Sequence, residues 1–219
     1  MKRILLTFII VLFCIPFSGT LYAQKDPKAK AVLDGMSQKY RGLKGLKASF
    51  EVTYFDGFDS KGQMQKGEIA IKGDKYHLKL PDQEIFNNGK TIWNFIESGN
   101  YKEVTINNAS DLEDELTPSS VYTMYQKGYN YRLVGEKTEN GVVLQEIELT
   151  AERSSAPFQR VVLWVEKSSK DLKAWEILDD QGGRFRYEFK SVNTNADLPD
   201  SFFTFNPQKY GKIEIIDLR

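Results

Sequence analysis

The stretch Arg184-Phe185-Arg186-Tyr187-Glu188-Phe189-Lys190 alternates charged and aromatic residues without a break. Period two is the mark of a strand with one dry face and one wet face. The same beat recurs on both sides of it. Tyr76, Leu78 and Leu80 alternate with Lys75, His77 and Lys79. Phe50, Val52 and Tyr54 alternate with Glu51 and Thr53, and Ile69 and Ile71 follow a glycine-rich turn. Trp93 shares a face with Phe95, Val162 with Trp164, and Trp175 with Ile177. Shorter runs fall at 84–87, 101–106, 131–135, 142–150 and 213–216. Asn87-Asn88-Gly89, Asn140-Gly141 and Asp180-Gln181-Gly182-Gly183 are hairpin signals. Short connections make successive strands antiparallel neighbours. The expected fold is mainly β with helices (α+β), built on one meandering sheet of about 11 strands.

Two segments change the period to 3.6. Asp26 and Pro27 supply an N-cap and a proline at the first helical position. Val32, Leu33, Met36, Tyr40 and Leu43 follow at helical spacing, and the pattern fades near Gly42 and Gly45. Later, Thr117-Pro118 starts a second, short helix over 118–127, with Val121, Met124 and Tyr125 on one face and Gly128 as the stop. The acidic run 111–115 before it reads as a solvated lead-in.

Composition removes several function classes. The 219 residues carry 30 basic and 30 acidic side chains, a balance unlike the basic excess of a general nucleic-acid binder. One cysteine rules out a disulfide framework and a multi-cysteine metal site. One histidine rules out H-E-x-x-H zinc binding and speaks against a histidine-based triad. Alternation puts His77 on the polar, solvated side of its strand. Asp56 and Asp59 do not have the spacing of an EF-hand loop. No catalytic residue, metal site or cofactor is expected.

Residues 1–23 read as a cleaved signal peptide. Lys2 and Arg3 precede an apolar run from Ile4 to Phe17, and Ala23 closes a cleavage site. Large Phe13 before Cys14 argues against lipid attachment there. The mature chain, 24–219, is expected to be one exported domain with 28 basic and 30 acidic residues.

The aromatic faces admit two readings. One is the dry core of a two-sheet sandwich. The other is a strongly curved, incomplete barrel whose open side is covered by the N-terminal helix and short lid helices, leaving an apolar cavity. The candidate cavity residues are Phe50, Val52, Tyr54, Ile69, Ile71, Tyr76, Leu78, Trp93, Phe95, Val121, Met124, Val162, Trp164, Trp175, Ile177, Phe185, Tyr187 and Phe189.

Four blocks, in order, carry a resemblance. They are the run from Leu43 through Gly45-Leu46-Lys47-Ala48-Ser49 to Phe50, then Gly67-Glu68-Ile69-Ala70-Ile71-Lys72 with Tyr76-His77-Leu78. Next come Asn88-Gly89-Lys90-Thr91-Ile92-Trp93, and finally Phe203-Thr204-Phe205-Asn206-Pro207. From about Leu43 to Leu218 the chain resembles the LolA family of periplasmic lipoprotein carriers. The resemblance implies the incomplete barrel with a lidded mouth. It also implies lipoprotein acyl chains as cargo, an inner-membrane ABC transporter complex as donor, and delivery toward the outer membrane. It implies a monomer without a cofactor, and no acceptor is named by it. The family often has an arginine before a proline in its second strand, as a lid latch. Lys72 and Gly73 stand there instead, and neither makes arginine's planar contacts. Two rivals stay in view: a lipid- or lipoprotein-sensing domain on the same half-barrel, and a periplasmic hydrolase using carboxylates.

Overall fold

The computed structural model describes residues 25–56, 62–112, 120–156, 158–178 and 182–219. The proposed signal peptide, Cys14, Asp59, residues 113–119 and part of the 180–183 turn lie outside them.

The helix α1 spans Pro27–Arg41. The Asp26 carboxylate accepts the Lys28 amide at 2.8 Å, so a donor that helical bonding leaves free is satisfied. Lys39 and Arg41 sit in the last turn, where positive charge complements the helix dipole. Ala29, Val32, Leu33, Met36 and Tyr40 form the buried stripe.

The strands are β1 Leu46–Phe55, β2 Gln63–Lys72, β3 Lys75–Leu80, β4 Gln83–Asn87, β5 Thr91–Ser98 and β6 Tyr101–Asn108. They continue as β7 Tyr129–Glu139, β8 Val142–Ala151, β9 Arg160–Glu166, β10 Leu172–Leu178, β11 Arg184–Asn193 and β12 Glu214–Asp217. Among the described residues these twelve form one open sheet, ordered β12-β6-β5-β4-β3-β2-β1-β11-β10-β9-β8-β7. It is the curved half-barrel of the second reading, with one helix laid against it. The simple meander needs correction. Two meanders meet where β1 pairs β11, with Phe50 opposite Phe189 and Tyr54 opposite Phe185. β12 returns to pair β6 in parallel. The β7–β8 turn is as expected: Asn140 and Gly141 both take positive φ, at 49° and 78°, the twist a two-residue hairpin demands.

The second helix also needs correction. Among the described residues of 118–127, 120–123 form a turn and only Met124–Gln126 is helical, as a single 3₁₀ turn. A short segment gains too few backbone bonds to hold an α-helix unless packing does so.

The two faces are covered differently. Following β11, residues 194–213 cross the convex face as a strap. Leu198 and Phe203 pack with Ala70, and Phe205 and Tyr210 pack with Phe86, Phe95 and Val104. Gly45 lets the strap approach, because a β-carbon there would stand 2.5 Å from the Ala196 carbonyl oxygen. Lys72 donates to the Leu198 carbonyl at 2.8 Å, and Lys72 and Lys75 both pair with Asp200. His77 lies beneath this strap, not in solvent. Its ring stacks on Phe86 at 4.0 Å and bonds Glu84 at 3.1 Å. Burial pulls its pKa below the ordinary histidine value, with the Glu84 bond acting in the opposite direction.

Asp26 ties α1 to the sheet as well as capping it. Its second carboxylate oxygen accepts the Leu133 amide of β7 at 3.0 Å. That bond, opposed by burial and aided by the Lys28 amide, lowers the Asp26 pKa below the usual 3.8. The contribution is therefore complete above the unfolded-state pKa and is lost as pH falls through the lower folded value. Asp26→Ala should cost about 1–2 kcal/mol in urea unfolding at neutral pH. The gap from wild type should close in acid; a gap that persists in strong acid would remove the carboxylate from this role.

Candidate functional site

Register decides which residues share a face, since cross-strand partners point the same way. Ile71 pairs Tyr76, and Ile69 pairs Leu78. Across the other neighbour of β1, Val52 pairs Tyr187 and Tyr54 pairs Phe185. Tyr187 pairs Trp175, and Phe185 pairs Ile177. With Phe50 and Phe189 these form the concave floor of β3, β2, β1, β11 and β10. Val121 and Met124 belong to the same cluster from the covering segment.

Four candidates lie on the other face, which is a correction. Trp93 and Phe95 pack under the strap with Phe86 and Phe205. Val162 and Trp164 pack with Leu144 and Ala174 on the outside of β8–β10. Trp164 is sealed by charged side chains: Lys137 and Arg186 lie over its rings at 4.9 and 4.5 Å, and its indole donates to Glu146. Alternation alone cannot distinguish inside from outside when both faces are apolar. On β9 the concave residues are Val161, Leu163 and Val165, which choosing by aromatic character passes over. Ile147 and Leu149 on β8 and Leu80 on β3 were missed likewise; their strict alternation was the available signal.

The concave face is unevenly covered. Over β8–β10 it is shut by α1: Ile147, Leu149, Val161, Leu163, Val165 and Leu172 have no measurable exposure. Over β1, β3 and β11 the apolar residues Val52, Tyr54, Leu78, Leu80, Phe185, Tyr187 and Phe189 are only half-buried. This aromatic band is stacked within itself. Trp175 lies parallel to Tyr187 at 4.7 Å, and Tyr54 meets Phe185 at 4.8 Å.

The covering segment is held by α1 rather than by β2. Tyr122 stacks on Tyr40 at 3.9 Å. The Tyr125 hydroxyl donates to Asp34 at 2.6 Å, and the Arg41 guanidinium donates to Gln126 at 2.9 Å. Hydrogen bonds from Lys30 and Tyr125 hold the Asp34 carboxyl below its usual pKa. Lys72, at the position matching the latch arginine, instead holds the convex strap. Tyr122 is a costly part of this arrangement. Among the described residues its buried hydroxyl has no hydrogen-bond partner, and burial raises its pKa well above that of free tyrosine.

The family model described as outer membrane lipoprotein carrier protein LolA matches residues 41–206. The chain belongs to the LolA family. The match takes in β1 to β11 and most of the strap; nearly all of α1 precedes it. An outer-membrane lipoprotein carrier protein of Coxiella burnetii, strain CbuK_Q154, is 23% identical over 209 residues, covering 90% of this chain and 91% of that one. An uncharacterized protein of Methanocaldococcus jannaschii is 26% identical over 192 residues, 84% of this chain. This LolA-family chain spans about half, 53%, of that relative's length. Among solved structures, an uncharacterized conserved protein from Thermus thermophilus has a TM-score of 0.59 at 10% identity, covering 87% of this chain and 99% of that one. That likeness concerns the fold alone.

One backbone position seats the floor. Phe50 lies opposite Gly67, and a β-carbon on Gly67 would fall 2.4 Å from the Phe50 Cζ and 3.0 Å from a Leu80 methyl. The ring lies across the space a side chain would fill. Gly67→Ala should destabilise by roughly 1–3 kcal/mol through overpacking. Shortening the ring in Gly67→Ala/Phe50→Leu should recover part of the loss. Additive losses in urea unfolding would place the strain elsewhere.

Proposed function

We propose that this protein is a periplasmic carrier that shelters lipoprotein acyl chains on the half-buried aromatic band and moves them from the inner toward the outer membrane. One observation carries the reading: the same apolar concave face is sealed over β8–β10 and left half-open over β1, β3 and β11. A dry core would gain by closing throughout, because each buried apolar area contributes to folding. Family membership supports lipoprotein as the cargo class. The site residues in this proposal are Phe50, Val52, Tyr54, Ile69, Ile71, Tyr76, Leu78, Trp175, Ile177, Phe185, Tyr187 and Phe189, with Val121 and Met124 on the covering segment.

The energetics set what the band must do. One acyl chain of about 16 carbons favours a membrane over water by about 10 kcal/mol. A soluble carrier must replace most of that by burial and still release its cargo. Half-exposed aromatic surface meets both needs, since it binds without the full gain of a closed core. Direction then comes from the difference in affinity between donor, carrier and acceptor. The chemistry is non-covalent, and no catalytic group or cofactor enters it. Export by a cleaved signal peptide would place the domain in the periplasm.

Acyl-probe binding tests the site, and transfer tests the role. A fluorescent acyl probe should bind the folded protein saturably and be displaced by a lipopeptide. Phe185→Glu puts a charge on the half-open band, where water can still reach it. It should lower probe affinity at least tenfold, about 1.4 kcal/mol, with a small change in thermal stability. Unaltered binding in this variant would move the site off the band. Loaded protein should then pass lipopeptide to acceptor vesicles; stable binding without transfer would favour the sensing reading.

A further inference from the structure

A cavity opens at the Ile71 end of the concave floor, where α1, the start of β1, the β2–β3 turn and the covering segment meet. The end of α1, the β2–β3 turn and residues 122–123 enclose about 220 Å³. Tyr40, Leu43, Leu46, Ile71 and Tyr122 make its walls apolar. Ile71 pairs Tyr76, and two residues along the strands Ile69 pairs Leu78 of the band, so the cavity adjoins the proposed acyl site. It is smaller than the roughly 300–1,000 Å³ of a pocket that takes a whole drug-sized ligand. It suits one polar group and the first part of a chain.

Two opposite charges face this cavity without meeting. Arg41 and Asp74 both line it, and among the described residues neither makes an ion pair. The reasons are local. Lys72 and Lys75 flank Asp74 in sequence, yet both ammonium groups are turned to Asp200 of the strap, at 3.0 and 2.7 Å. Arg41 has a neutral partner, the Gln126 amide oxygen at 2.9 Å. An exposed anion and an exposed cation, set across one apolar-walled cavity, complement a group with both charges or with a positive charge beside oxygen acceptors. Tyr122 closes one side of it with its ring, which stacks on Tyr40.

Building on the carrier reading, we propose that this cavity is a head-group subsite. It takes a primary ammonium at Asp74 and ester or phosphate oxygens at Arg41, with the attached acyl chain running past Ile71 onto the aromatic band. The Asp74 side chain recognises the cation; Arg41 makes the anchoring donor contacts that its planar fork allows. This chemistry has two sources. One is the free α-amino group of a diacylated lipopeptide, and the other is the ethanolamine of a phospholipid.

The test uses displacement of a fluorescent acyl probe from the whole protein. One arm compares a short-chain diacylated lipopeptide having a free α-amino group with its N-acetylated form. The other compares short-chain phosphatidylethanolamine with phosphatidylmethanol. Wild type should prefer the ammonium-bearing member roughly two- to fivefold, the scale of an exposed charge pair, with the preference shrinking in high salt. Asp74→Asn should bring the ratio to about one, and Asp74→Glu should keep it. A preference in one arm alone assigns that source; a preference in both assigns the ammonium itself. Equal affinities in wild type, or a preference that survives Asp74→Asn, would overturn the subsite while leaving the carrier reading standing. Failure of every acylated competitor to displace the probe would overturn both.

Discussion

A sheet with two apolar faces and, among the described residues, one α-helix cannot cover itself evenly, and the rest of this structure follows from that constraint. The convex face over β2–β6 is closed by the strap, whose Phe203, Phe205 and Tyr210 sit on Ala70, Phe86 and Phe95. The concave face over β8–β10 is closed by α1. What neither reaches is the aromatic band of β1, β3 and β11. Its openness is a matter of supply. Among the described residues the covering material lies elsewhere, and the remainder is left half-buried.

How the covering segment is fastened follows from the same geometry. β2 presents Ile71 to the concave side, so Lys72 must face the convex side. There it bonds the strap. The concave cover therefore takes its fastenings from α1: a tyrosine stack, a tyrosine–aspartate bond and an arginine–glutamine bond. Tyr125 and Gln126 are thereby coupled to the helix. A motion that opens the band at this end must either break these contacts or carry α1 along. In the first case the loss is two hydrogen bonds, each worth about 1 kcal/mol, together with the Tyr40–Tyr122 stack and the burial of Val121, Tyr122, Met124 and Tyr125. In the second, the well-packed Val32–Met36 stripe must leave β7–β9.

Much of this was legible in the chain itself. Period two between 46 and 193, the Asp26-Pro27 helix start and the Asn140-Gly141 turn are local features, and local physics produced them as expected. Three things were not legible, and each depends on a distant partner. The side taken by Trp93 and Trp164 is set by register over several strands. The strap's hold on His77 depends on residues more than a hundred positions away in sequence, such as Phe202. The covering segment is one 3₁₀ turn, not a helix of 118–127, because stacking on Tyr40 rather than backbone propensity holds it. Among the candidate residues, those on β1, β2, β3, β10 and β11 were placed on the concave face, and those on β5 and β9 were not. On the latter strands the large aromatic residues stand on the outer face, Trp93 and Phe95 under the strap and Trp164 under Lys137 and Arg186.

The strap has a consequence for the order of assembly. Its aromatic residues come after all strands of both meanders, and β1 must wait for β11 before its second edge is paired. A chain that emerges from its N-terminal end thus makes β2–β6 with Phe86, Phe95 and Val104 still bare. Folding rates fall as contacts become more distant in sequence, and unpaired apolar strands are aggregation-prone while they wait. The first meander consequently carries a bare apolar face until residues 196–213 arrive. The protein proposed to shield the apolar parts of other molecules spends its own synthesis with an apolar face in need of shielding.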